Sequence, residues 1–310
     1  MPSTDHVSAS VGTAVRPSVP AVPLERVALA SWARGRLWIL TAVMAVAAVF
    51  WLLPVIWVVV TSLKPTPNII RVPPEWIPWP ITGEHYREVL FSSARTARIG
   101  RAFLNSTIIS AGSVALVLVT SAMAAYPLAR MRFPGRNAIF AAMVGSLMVP
   151  NVVTLVPQYV LVQQLGWLST FQGLIVPEAG MTLAFGVFLL RQFFLSIPTE
   201  LEDAARIDGA NAWQIFTRII LPLSHPAMAA LAIFAFRSAW NDFLWPLIAV
   251  NKTDMFPLPV ALALLRGAYA SESYGPIMAG AALSAVPLFV VFLIANRRIV
   301  EGMQLSGLKG

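Results

Sequence analysis

Cysteine is absent, lysine and histidine are nearly so, and charge of either sign is scarce. Without a thiol there is no disulfide frame and no thiolate metal site. The lysines are Lys64, Lys252 and Lys309, none preceded by glycine, so no GxxxxGK[ST] loop is present to cradle a nucleotide's phosphates. HExxH and GxSxG are missing too, and the histidines (His6, His85, His225) lie far apart. These absences together leave little material for a metal centre, a nucleophile or a proton relay, and they point away from an enzyme. Charged residues form 12% of the 310-residue chain. Soluble domains carry about 25%. A net charge of +8 is compatible with nucleic acid, but the basic residues flank apolar runs, where they act as topology signals. No nucleic-acid partner is expected.

What fills the chain instead is apolar: 57% hydrophobic residues and a mean hydropathy of +0.72. About 20 apolar residues cross a bilayer's hydrocarbon core. Leu37–Leu63 and Ala102–Ala129 are uncharged and read as the first two spanning helices. Asn137–Pro177 is also uncharged but too long for one crossing. The polar cluster Gln163–Gly173 marks a turn, which predicts a third helix around 138–162 and a fourth around 174–190. The fourth is the shortest, with Pro177-Glu178 at its start, and a re-entrant segment is the alternative. A fifth helix is expected over about 226–250, then a polar connection over 251–276 and a sixth helix over about 276–295. Between the first two helices, Pro73, Pro74, Pro78 and Pro80 forbid a continuous helix, while Trp76 and Trp79 suit a membrane interface. The fold class expected is therefore all-α, a polytopic membrane protein with six transmembrane helices.

The ends read differently. Residues 1–35 are rich in Pro, Ser, Ala and Val and lack a core-forming pattern, so a disordered cytoplasmic tail is expected. A secretory signal is the rival, but the apolar run that follows is too long and lacks a cleavage site. The spanning domain covers 36–299, and 300–310 forms a second cytoplasmic tail. Arg130, Arg132 and Arg136 crowd one short connection, whereas Gln163–Gly173 carries no basic residue. With an even number of crossings, that bias puts both termini inside.

The most polar stretch between the spans is Pro198–Pro222. Thr199 with Glu202, and Asn211 with Gln214, each have the spacing of a capping box. Asp208-Gly209 between them supplies a left-handed stop. Two short helices meeting at a glycine are expected, with small apolar faces (Leu201, Ala204, Ala205; Trp213, Phe216, Ile220). A solvated hairpin is the plain reading of such a stretch.

Asp203-Ala204-Ala205, Gly209, Ile219 and Leu221-Pro222, with Asp208, Ala210 and Phe216 in place, resemble the coupling loop of ABC-importer permeases. Asp203 departs from the glutamate usual there; it keeps the charge with a shorter reach, and Glu202 is adjacent to take over the contact. Trp240-Asn241-Asp242-Phe243-Leu244, Ser62-Leu63-Lys64-Pro65 and the terminal Gly307-Leu308-Lys309-Gly310 are similar to segments of the maltose-type carbohydrate permeases.

The resemblance covers about 37–310. It implies a bacterial or archaeal cell-membrane complex: a second permease subunit, two ABC ATPase subunits holding ATP and magnesium, and an extracytoplasmic sugar-binding protein. No cofactor is expected on this chain. The resemblance places Glu202, Asp203, Ala204, Ala205, Asp208, Gly209 and Ala210 at the ATPase contact and the 251–276 connection at the binding protein. Glycerol phosphate or another non-sugar solute is the alternative cargo, and an ion-coupled secondary transporter a more distant one.

Ionisable groups inside a span are costly and mark pathways. Arg237 lies past the middle of the fifth helix and shares a face with Asn241. Asp242 falls about 140° round from Arg237, so no pair along one face is expected. Arg237, Asn241 and Trp240, with Asn151, Thr154 and Gln158 of the third helix, are the candidate pathway. The alternative is that Arg237 brackets a neighbouring helix and that the polar residues only join helices.

Overall fold

A computed structural model describes residues 24–91, 99–269 and 273–307, and among them every regular element is helical. The chain divides into Met1–Pro54 and Val55–Gly310. In the first unit, helix α1 (Leu24–Ser62) begins at Leu24, inside the segment expected to be a tail; residues 1–23 of that tail lie outside the described residues. From Leu37 to Pro54 its side chains are exposed and almost wholly apolar, as a hydrocarbon solvent requires.

The second unit is built on α3 (Ile99–Arg130) and α6 (Phe171–Ser196). α3 turns Ser106, Ser110, Ser113, Ser121, Ala122 and Ala125 inward, a stripe small enough for close backbone approach. A Cβ added at Gly186 would stand 2.3 Å from Ser121 Oγ, and one at Gly112 would stand 2.7 Å from Ile175. Further along, the Arg191 guanidinium donates to Leu128 O at 3.1 Å. The contacts advance together along both helices, so α3 and α6 run parallel.

Parallel neighbours need one net crossing between them. α4 (Arg136–Ser146) and α5 (Asn151–Gln164) supply it as a single span bent by 101°. The third span is therefore broken near Pro150, where an even helix was expected. Proline lacks the N–H and disfavours helix in the residue before it, which accounts for the break. The fourth span, expected to be the shortest, is the 26-residue α6 with Pro177 inside it; Thr170 caps its start by accepting from Gly173 N at 3.2 Å.

α7 (Glu200–Ile207) follows α6, and α8 (Ala212–Leu223), with a π turn at Phe216–Ile220, bends by 75° into α9 (His225–Asn241). α9 runs antiparallel to α3: Leu231 meets Gly186, and Trp240 meets Phe103 at 5.5 Å. α10 (Leu244–Ala249) continues the fifth span after a break. The connection expected to be polar contains α11 (Leu258–Tyr269), which buries Leu258, Ala261 and Leu265. Asn105 fixes the approach by donating to Asp254 O and Phe256 O, and Ser106 accepts from Leu258 N at 2.8 Å. The sixth span, α12 (Gly275–Gly307), continues into the segment expected to be a C-terminal tail. Its Gly275 lies flush against His85 of α2 (Glu84–Phe91). Among the described residues four helices are long and apolar enough to cross a membrane, and counting each bent pair as one span brings the total to six.

Candidate functional site

Two sites lie at opposite ends of the α3–α6 pair. At the first, α6 ends at Ser196 and α7 folds across the end of α3. The Thr199–Glu202 capping box expected from the sequence does not form. Thr199 is already helical (φ −70, ψ −24), and its hydroxyl makes no cap bond. Glu202 instead turns inward and is 2% exposed. Its carboxylate meets Arg130 Nε at 2.7 Å and Arg206 at 3.6 Å. Arg130 also donates to Ile197 O, tying α3, the α6–α7 link and α7 together. The pairing accounts for the lost cap: Glu202 turns to the buried guanidinium of Arg130 instead of back to Thr199, which is itself helical.

The second expected box does form. Asn211 Oδ1 accepts from Gln214 N at 2.9 Å, and Gln214 Oε1 accepts from Asn211 N at 2.9 Å. Gly209 takes φ +83, the left-handed region where a side chain is strained. The expected apolar faces divide. Ala205 and Ala210 pack on the core with Phe216 and Ile220, while Leu201, Ala204 and Trp213 are exposed. Ile207 is 87% exposed. Asp203 pairs outside with Arg206 at 3.0 Å, and Asp208 is exposed. α7 thus shows an apolar and acidic outer face on a short helix clamped from within.

The second site is an open cleft of about 370 Å³ where α5, α6 and α9 diverge. Asn151 and Gln158 line it from α5, and Arg237 from α9, so three of the expected pathway residues do converge. Three others do not. Trp240 is buried between Phe103 and Phe236, its indole donating to Ser284 O at 3.1 Å. Asn241 donates to Arg237 O within its own helix at 2.8 Å. Thr154 lines a neighbouring apolar groove between α5 and α6.

Glu178, Thr182 and Phe185 of α6 complete the cleft with Ser238, Asp242 and Trp245. Glu178, Thr182 and Phe185 follow an i, i+4, i+7 spacing that was readable in the sequence. Asp242 reaches the cleft because α9 ends at Asn241; at ψ 122 it leaves the helical course, and the 140° offset no longer applies. It accepts from Trp245 N at 3.4 Å. Glu178 Oε1 is buried without a partner among the described residues. An orphaned buried acceptor costs about 1–3 kcal/mol. Phe185 and Phe234 form an edge-on aromatic pair at 5.4 Å on the same wall.

The family described as binding-protein-dependent transport system inner membrane component matches residues 117–304, which include both sites. The chain is 36% identical over 264 residues to the diacetylchitobiose uptake system permease protein NgcG of Streptomyces coelicolor, covering 83% of this chain and 84% of that protein. It is also 36% identical over 264 residues to the trehalose transport system permease protein SugB of Mycobacterium tuberculosis, covering 84% and 93%. Among solved structures, a chain of a bacterial ABC transporter involved in the import of the acidic polysaccharide alginate shares the fold. Its TM-score is 0.72 at 23% identity, over 85% of this chain and 96% of that one.

Proposed function

The chain belongs to the family of binding-protein-dependent transport system inner membrane components, and from that premise we propose that it is a permease subunit of an ATP-driven carbohydrate importer. The observation that carries the coupling is the clamp on α7. Arg130 and Glu202 fix the helix from inside, which leaves Leu201, Ala204, Ile207 and Asp208 to meet a partner. ATP and its magnesium ion belong to two ATPase subunits seated under that outer face, on the cytoplasmic side, where both termini also lie. A second permease subunit completes the pathway, and an extracytoplasmic binding protein delivers the sugar.

α7 can act as a lever because both its ends continue into spans. When closure of the ATPase pair moves it, α3 follows through Arg130, α6 through the Ile197 link, and α9 through α8. Ser224, the hinge between α8 and α9, is buried and its hydroxyl donates to Ile220 O at 2.6 Å. The polar cleft between α5, α6 and α9 then changes its access. The sugar assignment rests on the two carbohydrate permeases to which the chain is over one-third identical.

The test is reconstitution of the complete complex in liposomes, with ATP enclosed and radiolabelled trehalose or diacetylchitobiose outside. Uptake is expected only with binding protein and ATP together. Accumulation that persists without ATP but needs an ion gradient would overturn the reading.

A further inference from the structure

We propose that Glu178 and Asp242 are specificity-determining residues of a solute subsite in this subunit's own cleft, shaped for the hydroxyls of a neutral or amino-bearing sugar and closed to anionic solutes. The inference rests on the importer reading and deepens it. The buried Oε1 of Glu178 has no partner among the described residues. Asp242 lines the same cleft, accepting from Trp245 N after the helix breaks. No ion pair within 4 Å joins Arg237 to either carboxylate among the described residues, so the cleft keeps acceptors and donors apart.

That separation suits a hydroxyl, which donates and accepts at once. Arg237, Asn151 and Gln158 offer N–H donors to sugar oxygens, and the two carboxyl groups accept hydrogen bonds from sugar hydroxyls. The Phe185–Phe234 pair offers an apolar wall to the C–H face of a pyranose ring. A carboxylated or phosphorylated solute would use only the donors and leave the acceptors Glu178 and Asp242 without a hydroxyl to meet. The cleft volume of about 370 Å³ lies in the range of small-molecule sites.

The experiment is uptake and ATP hydrolysis measured together in the reconstituted complex, with trehalose, diacetylchitobiose and a uronate disaccharide as probes. Glu178→Gln with Asp242→Asn keeps side-chain size and is expected to cut the maximal rate of neutral-sugar uptake about tenfold. Hydrolysis stimulated by the binding protein should persist, so ATP spent per sugar rises in the same proportion. Uronate uptake relative to neutral sugar should increase. Thr154→Ala, on the same helix as Gln158 but facing the neighbouring groove and not the cleft, should leave the ratio of ATP to sugar unchanged. If uptake and hydrolysis fall in proportion, or if the double variant transports like the parent, the carboxylates are helix brackets and the proposal fails. A parent complex that imports none of the sugar probes would refute the importer reading instead.

Discussion

Glu202 and Glu178 are carboxylates at opposite ends of the same helix pair, and their surroundings differ. Glu202 is 2% exposed and ion-paired, with Arg130 at 2.7 Å and Arg206 behind it. Glu178 keeps a buried oxygen without a partner beside a cleft that Asp242 and Arg237 also line. Burial of a charge is tolerated when a partner compensates it, and the compensated group then serves as a fixed joint. A buried acceptor without an ion-pair partner at the edge of an open cleft is placed to meet a solute. The contrast separates a clamp from a site.

The sharpest way to break that contrast is Glu202→Ala. It strands Arg130 in a buried place and is expected to cost about 3–5 kcal/mol, read as a large fall in thermal stability of the detergent-purified complex. A stable variant would show that the clamp is decorative. Next in size is Ala205→Glu, which forces bulk and charge into packed core and should destabilise by about 1–3 kcal/mol. Its neighbour Ala204 is exposed, so Ala204→Glu should leave the melting temperature unchanged while uncoupling ATP hydrolysis from uptake. Equal melting losses in both would place the faces of α7 wrongly.

At the cleft, Glu178→Gln with Asp242→Asn should shift stability by no more than about 1 kcal/mol, well below the effect at Glu202, because no ion pair is broken. The smallest effect belongs to Asp203→Ala. Its pair with Arg206 is solvent-exposed on both sides, and unfolding should register within about 0.5 kcal/mol. Any coupling defect in that variant would then report on the outer face and not on folding.

Much of the fold was legible before any coordinates, and the misses share a cause. The six-span count follows from run lengths, and the Asn211–Gln214 box and the Gly209 stop follow from chemistry spanning a few residues. The Thr199–Glu202 box had the same local credentials. It failed because Arg130, far away in sequence, competes for the carboxylate. Trp240 and Asn241 looked like pathway residues from their position on a helix, yet Trp240 is buried against α3 and α12. Asp242 was set aside on helical periodicity, which presumes a helix that continues; this one ends at Asn241.

The sequence by itself determined that the chain crosses a membrane, where its crossings fall, and where a short capped helix interrupts them. Those properties come from hydropathy and backbone capping, which act on near neighbours. Only the tertiary structure decided which face of α7 turns inward, that α4 and α5 share one broken crossing, and that Glu178, Arg237 and Asp242 surround one cleft. Each of these depends on side chains distant in sequence meeting at a few ångströms, as Gly186 does with Ser121, and hydropathy along a single helix carries no record of what its neighbour presents.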